Sequence, residues 1–356
     1  MINKVVFIVP CLRSGGAERV MALLANSLIE KVHNIVFIFT MDDVKKYDLD
    51  NRIEIVINNK KRTPIGQINF IRNYMKKNRD AVFVSFFTYQ NIYTLIAKTL
   101  LPTRVIVSER NDPSKTLYGR KLLEKLRELL YSKAYRVVFQ TEEAKQYFSK
   151  KIQRKSIIIC NPLSPKLPEV YKGDREKRIV AVARLNKQKN LPMLISGATD
   201  FLLKNPDFYL EIYGEGDPRD PDMKSDLILL AKKNSIKDQV KFMGFVPNVT
   251  EMIRSASIYV STSNYEGISN SMIEALAMGI PCVCTDCPVG GARMFIKNGI
   301  NGYLIPVGDE RAFGEALFKA HLNKQWQSVC CTEAYKLREK LSIKVIVEEW
   351  LKVLNS

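Results

Sequence analysis

The sequence contains two histidines in 356 residues, His33 and His321. His33 lies just ahead of a strand-like run and His321 near the end of a helical one, so neither is a good catalytic candidate. No uninterrupted apolar run approaches the ~20 residues that a membrane span needs. The opening stretch MINKVVFIVPCLRSGG has only a short apolar run, which reads as a strand rather than a secretory signal. No G-x-G-x-x-G fingerprint and no Walker A sequence is present, so the two commonest phosphate-loop signatures are missing. RNP, helix-turn-helix and zinc-finger signatures are also missing, which leaves a nucleic-acid reading without a motif. No D-x-D stands at a strand end, so no metal is expected. Internal repeats and low-complexity segments are absent.

Acidic residues are scarce in one half only. Residues 1–163 hold 29 Lys and Arg against 14 Asp and Glu, a net +15, whereas residues 164–356 hold 26 against 23, a net +3. The first half is therefore the one expected to meet an anionic partner: nucleic acid, an anionic membrane face or a phosphate-bearing substrate. A well-solvated surface explains the charge equally well at this level. The seven cysteines are odd in number and mostly sit in apolar, strand-like runs. Cys282, Cys284 and Cys287 have a spacing that suggests a metal site. However, the first two should share one strand face, and no second Cys/His pair follows, so reduced cytoplasmic thiols are expected.

Apolar β-branched runs alternate with helical patterns throughout. Strands are expected at 4–9, 35–40, 52–57, 81–86, 104–108, 136–140 and 156–160, and again at 179–183, 208–213, 240–243, 258–262, 281–285 and 303–307. Helices are expected between them, among others at 16–30, 119–133, 191–203, 222–234, 248–255, 270–278, 289–297 and 309–322. Strands apolar on both faces imply parallel sheets covered by helices on each side. The fold class is α/β, with two doubly wound Rossmann-like domains. Residues 1–163 form the first and 179–340 the second, joined by a Pro- and charge-rich linker at 164–178. An amphipathic helix at 341–356 closes the chain. In such sheets ligands collect at the carboxyl ends of strands, and a cleft between two domains is the expected site.

Several stretches fall at strand ends. SGGAERV (14–20) lets Gly15 and Gly16 bring backbone amides to an anion at a helix N-terminus, or makes a tight strand-to-helix turn. VARLNKQKN puts Arg184 and Lys189 where two cations could hold a diphosphate, although solvated surface charge reads the same way for Lys189. YGEGD (Gly214, Glu215, Gly216) and GFVPNV (Phe245, Val246) could approach a nucleotide, or be plain loops. In YEGISNSMIEALAMGIP, Asn270 or Ser271 reads as a helix N-cap, and Ser271 with Glu274 fits the S-x-x-E capping box. Glu266, in the loop before that helix, has no evident structural need for a carboxylate, while carboxylate oxygens accept well from sugar hydroxyls.

Taken together, SGGAERV, ARLNKQKN, YGEGD, VKFMGFVPNV, STSNYEGISNSMIEALAMGIPCVCTDCPVGG and NGYLIPVGD resemble, in order and over nearly the whole chain, the large family-4 group of retaining glycosyltransferases with the GT-B fold. The nearest flavour is the bacterial enzymes that extend lipid-linked or capsular oligosaccharides. The resemblance implies that Arg184 and Lys189 bind the donor diphosphate and stabilise the leaving group. It implies that Glu274 holds the ribose and that Glu266 faces the donor sugar. Gly267, Ile268, Ser269, Asn270 and Ser271 would line the donor. Gly214, Glu215 and Gly216, with Phe245 and Val246, would flank the nucleoside. Gly15 and Gly16 would approach the phosphates, and the closing helix would cross back to the first domain. Many members carry a histidine in the stretch that reads VIVSERNDP here. Glu109 and Arg110 stand there instead, on the acceptor or phosphate side; a salt bridge of Arg110 with Glu109 or Asp112 is the structural alternative.

The activity implied is transfer of a hexose or N-acetylhexosamine from a nucleotide-diphosphate sugar, UDP in preference to GDP, with retention. A front-face path is implied, with no metal and no cofactor beyond the donor substrate. The acceptor would be a polyprenyl-diphosphate-linked or surface glycan, reached from the cytoplasm at the inner face of the membrane. Basic stretches at 60–62, 76–79 and 119–133 would rest on anionic lipid rather than nucleic acid. The rival readings are a GT-B sugar-nucleotide epimerase and a basic nucleic-acid- or membrane-binding protein.

Overall fold

The computed structural model describes residues 2–13, 15–59, 62–323 and 326–356. Ser14 of the SGG turn and Lys60 and Lys61 of the basic run at 60–62 lie outside the described residues. The chain divides into two compact units, Met1–Pro162 with Leu341–Ser356, and Leu163–Lys340.

The first unit holds seven strands: β1 (Lys4–Val9), β2 (Asn34–Phe39), β3 (Glu54–Ile57), β4 (Val82–Phe86), β5 (Arg104–Ser108), β6 (Arg136–Phe139) and β7 (Ser156–Ile158). They pair in the order β3-β2-β1-β4-β5-β6-β7. Every pairing is parallel, as runs apolar on both faces require. The closing helix, Ile343–Asn355, belongs to this unit. Ser342 caps it, accepting from the Val345 amide at 3.4 Å. Ile346, Val347, Trp350, Val353 and Leu354 form its buried stripe, and the Trp350 ring stacks on Phe86 at 5.7 Å.

The second unit holds β8 (Glu176–Val182), β9 (Tyr209–Tyr213), β10 (Val240–Gly244), β11 (Ala256–Ser261), β12 (Cys282–Thr285) and β13 (Gly302–Ile305). Their order is β10-β9-β8-β11-β12-β13, again parallel throughout. Its core runs from Ile179 and Ile212 on the sheet to Leu194, Phe201 and Phe313 on the covering helices. Residues 163–175 lack regular structure and belong to this unit, with Leu167 and Val170 buried.

One expected helix is missing. Residues 289–297 form successive turns. Val289 (φ 66°) and Gly290 (φ 68°) both take the left-handed region, which stops a right-handed helix from starting there.

Candidate active site

In the second sheet β8 lies between β9 and β11, so the chain leaves β8 on one side and returns to its other neighbour much later. Loops at the carboxyl ends of β8 and β11 therefore diverge, and such a switch point is where doubly wound sheets bind ligands. The ARLNKQKN and YEGIS stretches are these two loops.

The loop after β8 is laced to the loop after β9. Ala183 N donates to Tyr213 O at 2.8 Å, Leu185 N to Glu215 O at 2.9 Å and Asp217 N to Leu185 O at 3.3 Å. Gly214 stands at φ 148°, and a Cβ there would lie 2.0 Å from the Ala183 carbonyl oxygen, so only glycine fits. The first glycine of YGEGD thus serves the approach of two loops. Asn186 donates to Asp217 Oδ2 at 3.0 Å, and the Arg219 guanidinium, 2.5 Å from Asp217, holds that carboxyl well below the usual carboxylate range. Arg184 is exposed, and its side chain bonds to none of the described residues.

Asn186 then caps a single 3-10 turn at Lys187–Lys189, accepting from the Lys189 amide at 3.2 Å. Asn190 follows in the left-handed region (φ 45°) and turns the chain into the helix Leu191–Lys204. This turn meets the loop after β11. Thr262 Oγ1 donates to the carbonyls of Lys189 (3.2 Å) and Asn190 (3.0 Å), Asn264 N to Gln188 O (2.8 Å), and Asn264 Nδ2 to Lys187 O (2.9 Å). Lys189 Nζ lies 3.0 Å from both oxygens of Glu266, and Gln188 Nε2 donates to Glu266 Oε2 at 3.0 Å. Glu266 therefore has a structural partner after all.

The capping box expected at Ser271 and Glu274 is not used. The helix is Asn270–Ala277 and its N-cap is Ser269, whose hydroxyl pairs with that of Ser271 at 3.2 Å and makes no capping bond. Ser271 lies inside the first turn, where its hydroxyl pairs with Tyr259 (2.7 Å) and donates to Val182 O (3.3 Å). Glu274 is the fifth helical residue rather than the third, too far along to reach back to the cap, and it is 2% exposed. Gly267 is pressed by the turn at 288–292: a Cβ on Gly291 would lie 1.8 Å from the Gly267 carbonyl oxygen. A small, partly open recess behind the loop is bordered by Ser263, Glu266, Gly267, Thr285 and Cys287. Phe245 is exposed in the loop after β10, with Val246 half-buried beside it.

Cys287 donates to Ser263 O at 3.0 Å, and burial pushes its thiol up to about 12. All seven cysteines are free, and the described residues contain no group of three or more His, Cys, Asp or Glu that could hold a metal.

In the first unit, Gly15 is the extended N-cap of the helix Gly16–Leu28, and its carbonyl accepts from Tyr47 Oη at 3.1 Å. Glu18 is an acid in that helix's first turn, with its carboxylate folded back over Gly15, so the helix N-terminus already has a negative charge. Glu109 follows β5 and is turned inward, 2% exposed. It accepts from Thr88 Oγ1 at 2.9 Å and from the Tyr131 hydroxyl, and burial pushes its carboxyl up. Arg110 pairs with neither Glu109 nor Asp112. Its guanidinium stacks on Phe86 at 4.3 Å and lies 5.7 Å from Trp350. Nη1 donates to Asn161 Oδ1 at 3.1 Å, Nε and Nη2 find no acceptor, and burial pushes the group down to about 9. His33 and His321 are both exposed. The sequence reading missed Gln188 and Gly291. The Gly-Gly pair at 290–291 was a signal for the second, and nothing pointed to the first.

A family model described as glycosyl transferases group 1 matches residues 166–340. A Campylobacter jejuni protein is 26% identical over 99% of this chain and 98% of its own length. Its name is GalNAc-alpha-(1->4)-GalNAc-alpha-(1->3)-diNAcBac-PP-undecaprenol alpha-1,4-N-acetyl-D-galactosaminyltransferase. The amylovoran biosynthesis glycosyltransferase AmsD of Erwinia amylovora is 23% identical over 96% of each chain. Among solved structures, Anabaena Alr3699/HepE in complex with UDP and glucose superposes with a TM-score of 0.86 at 16% identity, covering 99% of this chain and 100% of that one. With a match to the group 1 model at 166–340 and two Rossmann-like parallel sheets, this chain is a glycosyltransferase with the GT-B fold.

Proposed function

We propose that the enzyme transfers a hexose or N-acetylhexosamine from a UDP-sugar to a hydroxyl of a polyprenyl-diphosphate-linked or surface oligosaccharide, with retention and without a metal. The observation that carries this reading is the pairing of loops at the β8/β11 switch point. It brings Lys189 to 3.0 Å from Glu266, in the loop that leads into the helix bearing Glu274, and on this reading the exposed Arg184, in the same loop as Lys189, supplies a second cation. A relative named for an undecaprenol-diphosphate acceptor and a structural neighbour holding UDP and glucose support the substrate classes.

A glycosyl transition state leaves positive charge on the sugar and negative charge on the departing diphosphate. Fixed cations aimed at the diphosphate stabilise it as it leaves, and removing one such group costs about 10²–10³ in rate. Glu274 accepts from ribose hydroxyls, and the backbone from Gly267 to Ser271 lines the sugar. Gly214, Glu215, Gly216, Phe245 and Val246 flank the nucleoside. In the first unit, Arg110 has donors to offer a phosphate or sugar oxygen of the acceptor. Glu109 is committed to its interior partners, Thr88 and Tyr131.

The first unit also suits an anionic membrane face. Its helix Lys121–Tyr131 buries Arg127, Leu130 and Tyr131 and turns Lys121, Leu122 (81% exposed), Lys125 and Leu129 (55% exposed) outward. Lysines beside apolar side chains on one face fit a peripheral, cytoplasmic location, and no helix among the described residues is long and apolar enough to cross a membrane.

A panel of nucleotide sugars scored by nucleotide release tests the assignment. Wild type should release UDP from one of them in the presence of a glycan acceptor. Arg184→Ala and Lys189→Ala should lose about 10²–10³ in turnover with melting temperature retained. Wild-type-like turnover in either variant refutes the site.

A further inference from the structure

Glu266 has two holders, and they differ in charge. Lys189 Nζ stands 3.0 Å from both carboxylate oxygens, with the two side chains 13% and 20% exposed. Gln188 Nε2 donates to Glu266 Oε2 at 3.0 Å and also to the Tyr265 carbonyl at 3.0 Å. The loops beneath them are joined independently of either side chain, through Thr262, Asn264 and Asn190. If Lys189 receives the donor's diphosphate, as the proposed function holds, two anions compete for one ammonium. The diphosphate and the Glu266 carboxylate then repel each other across it. The neutral amide of Gln188 has no comparable attraction to the diphosphate, and its second bond, to Tyr265 O, keeps it in place.

We propose that Gln188 is a positioning residue: it retains the Glu266 carboxylate when the donor diphosphate takes over Lys189. Glu266 thereby changes from the counter-ion of Lys189 into an acceptor for the hydroxyls of the donor sugar. Lys189 in turn is held ready by Glu266 until the donor arrives. The exchange involves three side chains on two loops that are neighbours in the sheet, Gln188 and Lys189 after β8 and Glu266 after β11.

The exchange separates two quantities that a merely structural contact would move together. Glu266→Gln keeps the shape and removes the competing charge. UDP measured by calorimetry should bind it about three- to tenfold more tightly, the range of one partly screened charge contact, while kcat falls. Gln188→Met keeps the side-chain length and the backbone bonds but removes the amide. It should lower kcat about tenfold or more, on whichever of UDP-glucose, UDP-GlcNAc and UDP-GalNAc wild type uses, with UDP affinity and donor KM within about twofold. Unchanged or weaker UDP binding by Glu266→Gln overturns the exchange. An unchanged kcat, or a parallel loss of UDP affinity and melting temperature, in Gln188→Met overturns the positioning role. Should Gln188→Met not fold, the Glu266→Gln measurement still decides the exchange. Failure of the underlying reading is distinct: there, Lys189→Ala would keep full UDP affinity.

Discussion

Replacing Gly291 with alanine tests whether the placement of the YEGIS loop sets the rate. An alanine Cβ there would stand 1.8 Å from the Gly267 carbonyl oxygen and 2.7 Å from its carbon. Real Cβ contacts essentially never fall below 3.0 Å, so the two backbones must part by at least about 1.2 Å. Both partners are main chain, and no side-chain rotation can absorb the shift. Overpacking of this kind costs about 1–3 kcal/mol. For a unit of this size that lowers Tm by about 2–12 °C, at about 2–4 °C per kcal/mol. The effect on chemistry is larger, because the displaced segment carries Glu266 and begins the helix of Glu274. A misplacement near 1 Å in a reacting geometry costs about 10²-fold in rate. The assay is UDP release under saturating donor, beside a thermal melt. Gly299→Ala is the control: Gly299 is at φ 76° with open space around it, so alanine there costs about 1–2 kcal/mol of backbone strain and moves no loop of the site. The control should melt lower and keep its kcat. If Gly291→Ala also keeps its kcat, the loop's position does not limit turnover and the reasoning fails.

Three further outcomes are expected. Glu274→Gln should weaken UDP binding about 10- to 100-fold by calorimetry, the worth of hydrogen bonds to a charged group; unchanged affinity removes Glu274 from the donor site. Burial raises the Glu109 carboxyl, so the folded chain binds that proton more tightly than the unfolded one. Its contribution to stability is full below the ordinary glutamate range and is lost as pH rises through the raised value. Glu109→Gln should therefore flatten the pH dependence of denaturation midpoints over that window, and parallel slopes would refute the assignment. Cys287, pushed up to about 12 and bonded to Ser263 O, should resist iodoacetamide at pH 8 in the native protein, as read by peptide mass spectrometry; rapid labelling contradicts its placement.

The layout of the fold was legible because both-face apolar runs such as KVVFIV and IVFIFT leave a parallel strand few alternatives. Among the described residues, thirteen strands stand where thirteen were expected, within a few residues at their ends. The turn at 289–297 was not legible. Its helical pattern, VGGARMFIK, is real, but its first two residues, Val289 and Gly290, take the left-handed region and Gly291 is pressed against Gly267, an approach that no local pattern reports. Glu109 illustrates the same limit. A carboxylate in a polar loop reads as exposed, yet the hydroxyls of Thr88 and Tyr131, from two other helices, draw it into the interior.

The two glutamates eight residues apart exchanged roles for reasons of tertiary structure. S-x-x-E is a capping box only if the serine is the residue at which helical backbone begins. Here the start is moved to Ser269, because Ser271 is drawn inward by Tyr259 and Val182 and the preceding loop is pinned at Gly267. Glu274 is buried, and capping does not account for it. Glu266, for which the local sequence offers no structural reason, meets Lys189 across 77 residues of sequence. That meeting follows from sheet order alone: β8 and β11 are neighbours, so their carboxyl-end loops must share one surface. A cation and a carboxylate paired at such an edge neutralise each other in the absence of a ligand. The same pair has a ready partner for each half of a sugar nucleotide, the ammonium for the diphosphate and the carboxylate for the sugar. On the proposed reading, the ion pair at this switch point is a site whose two charges separate when substrate arrives, and Gln188, the neutral member of the group, would then hold the carboxylate.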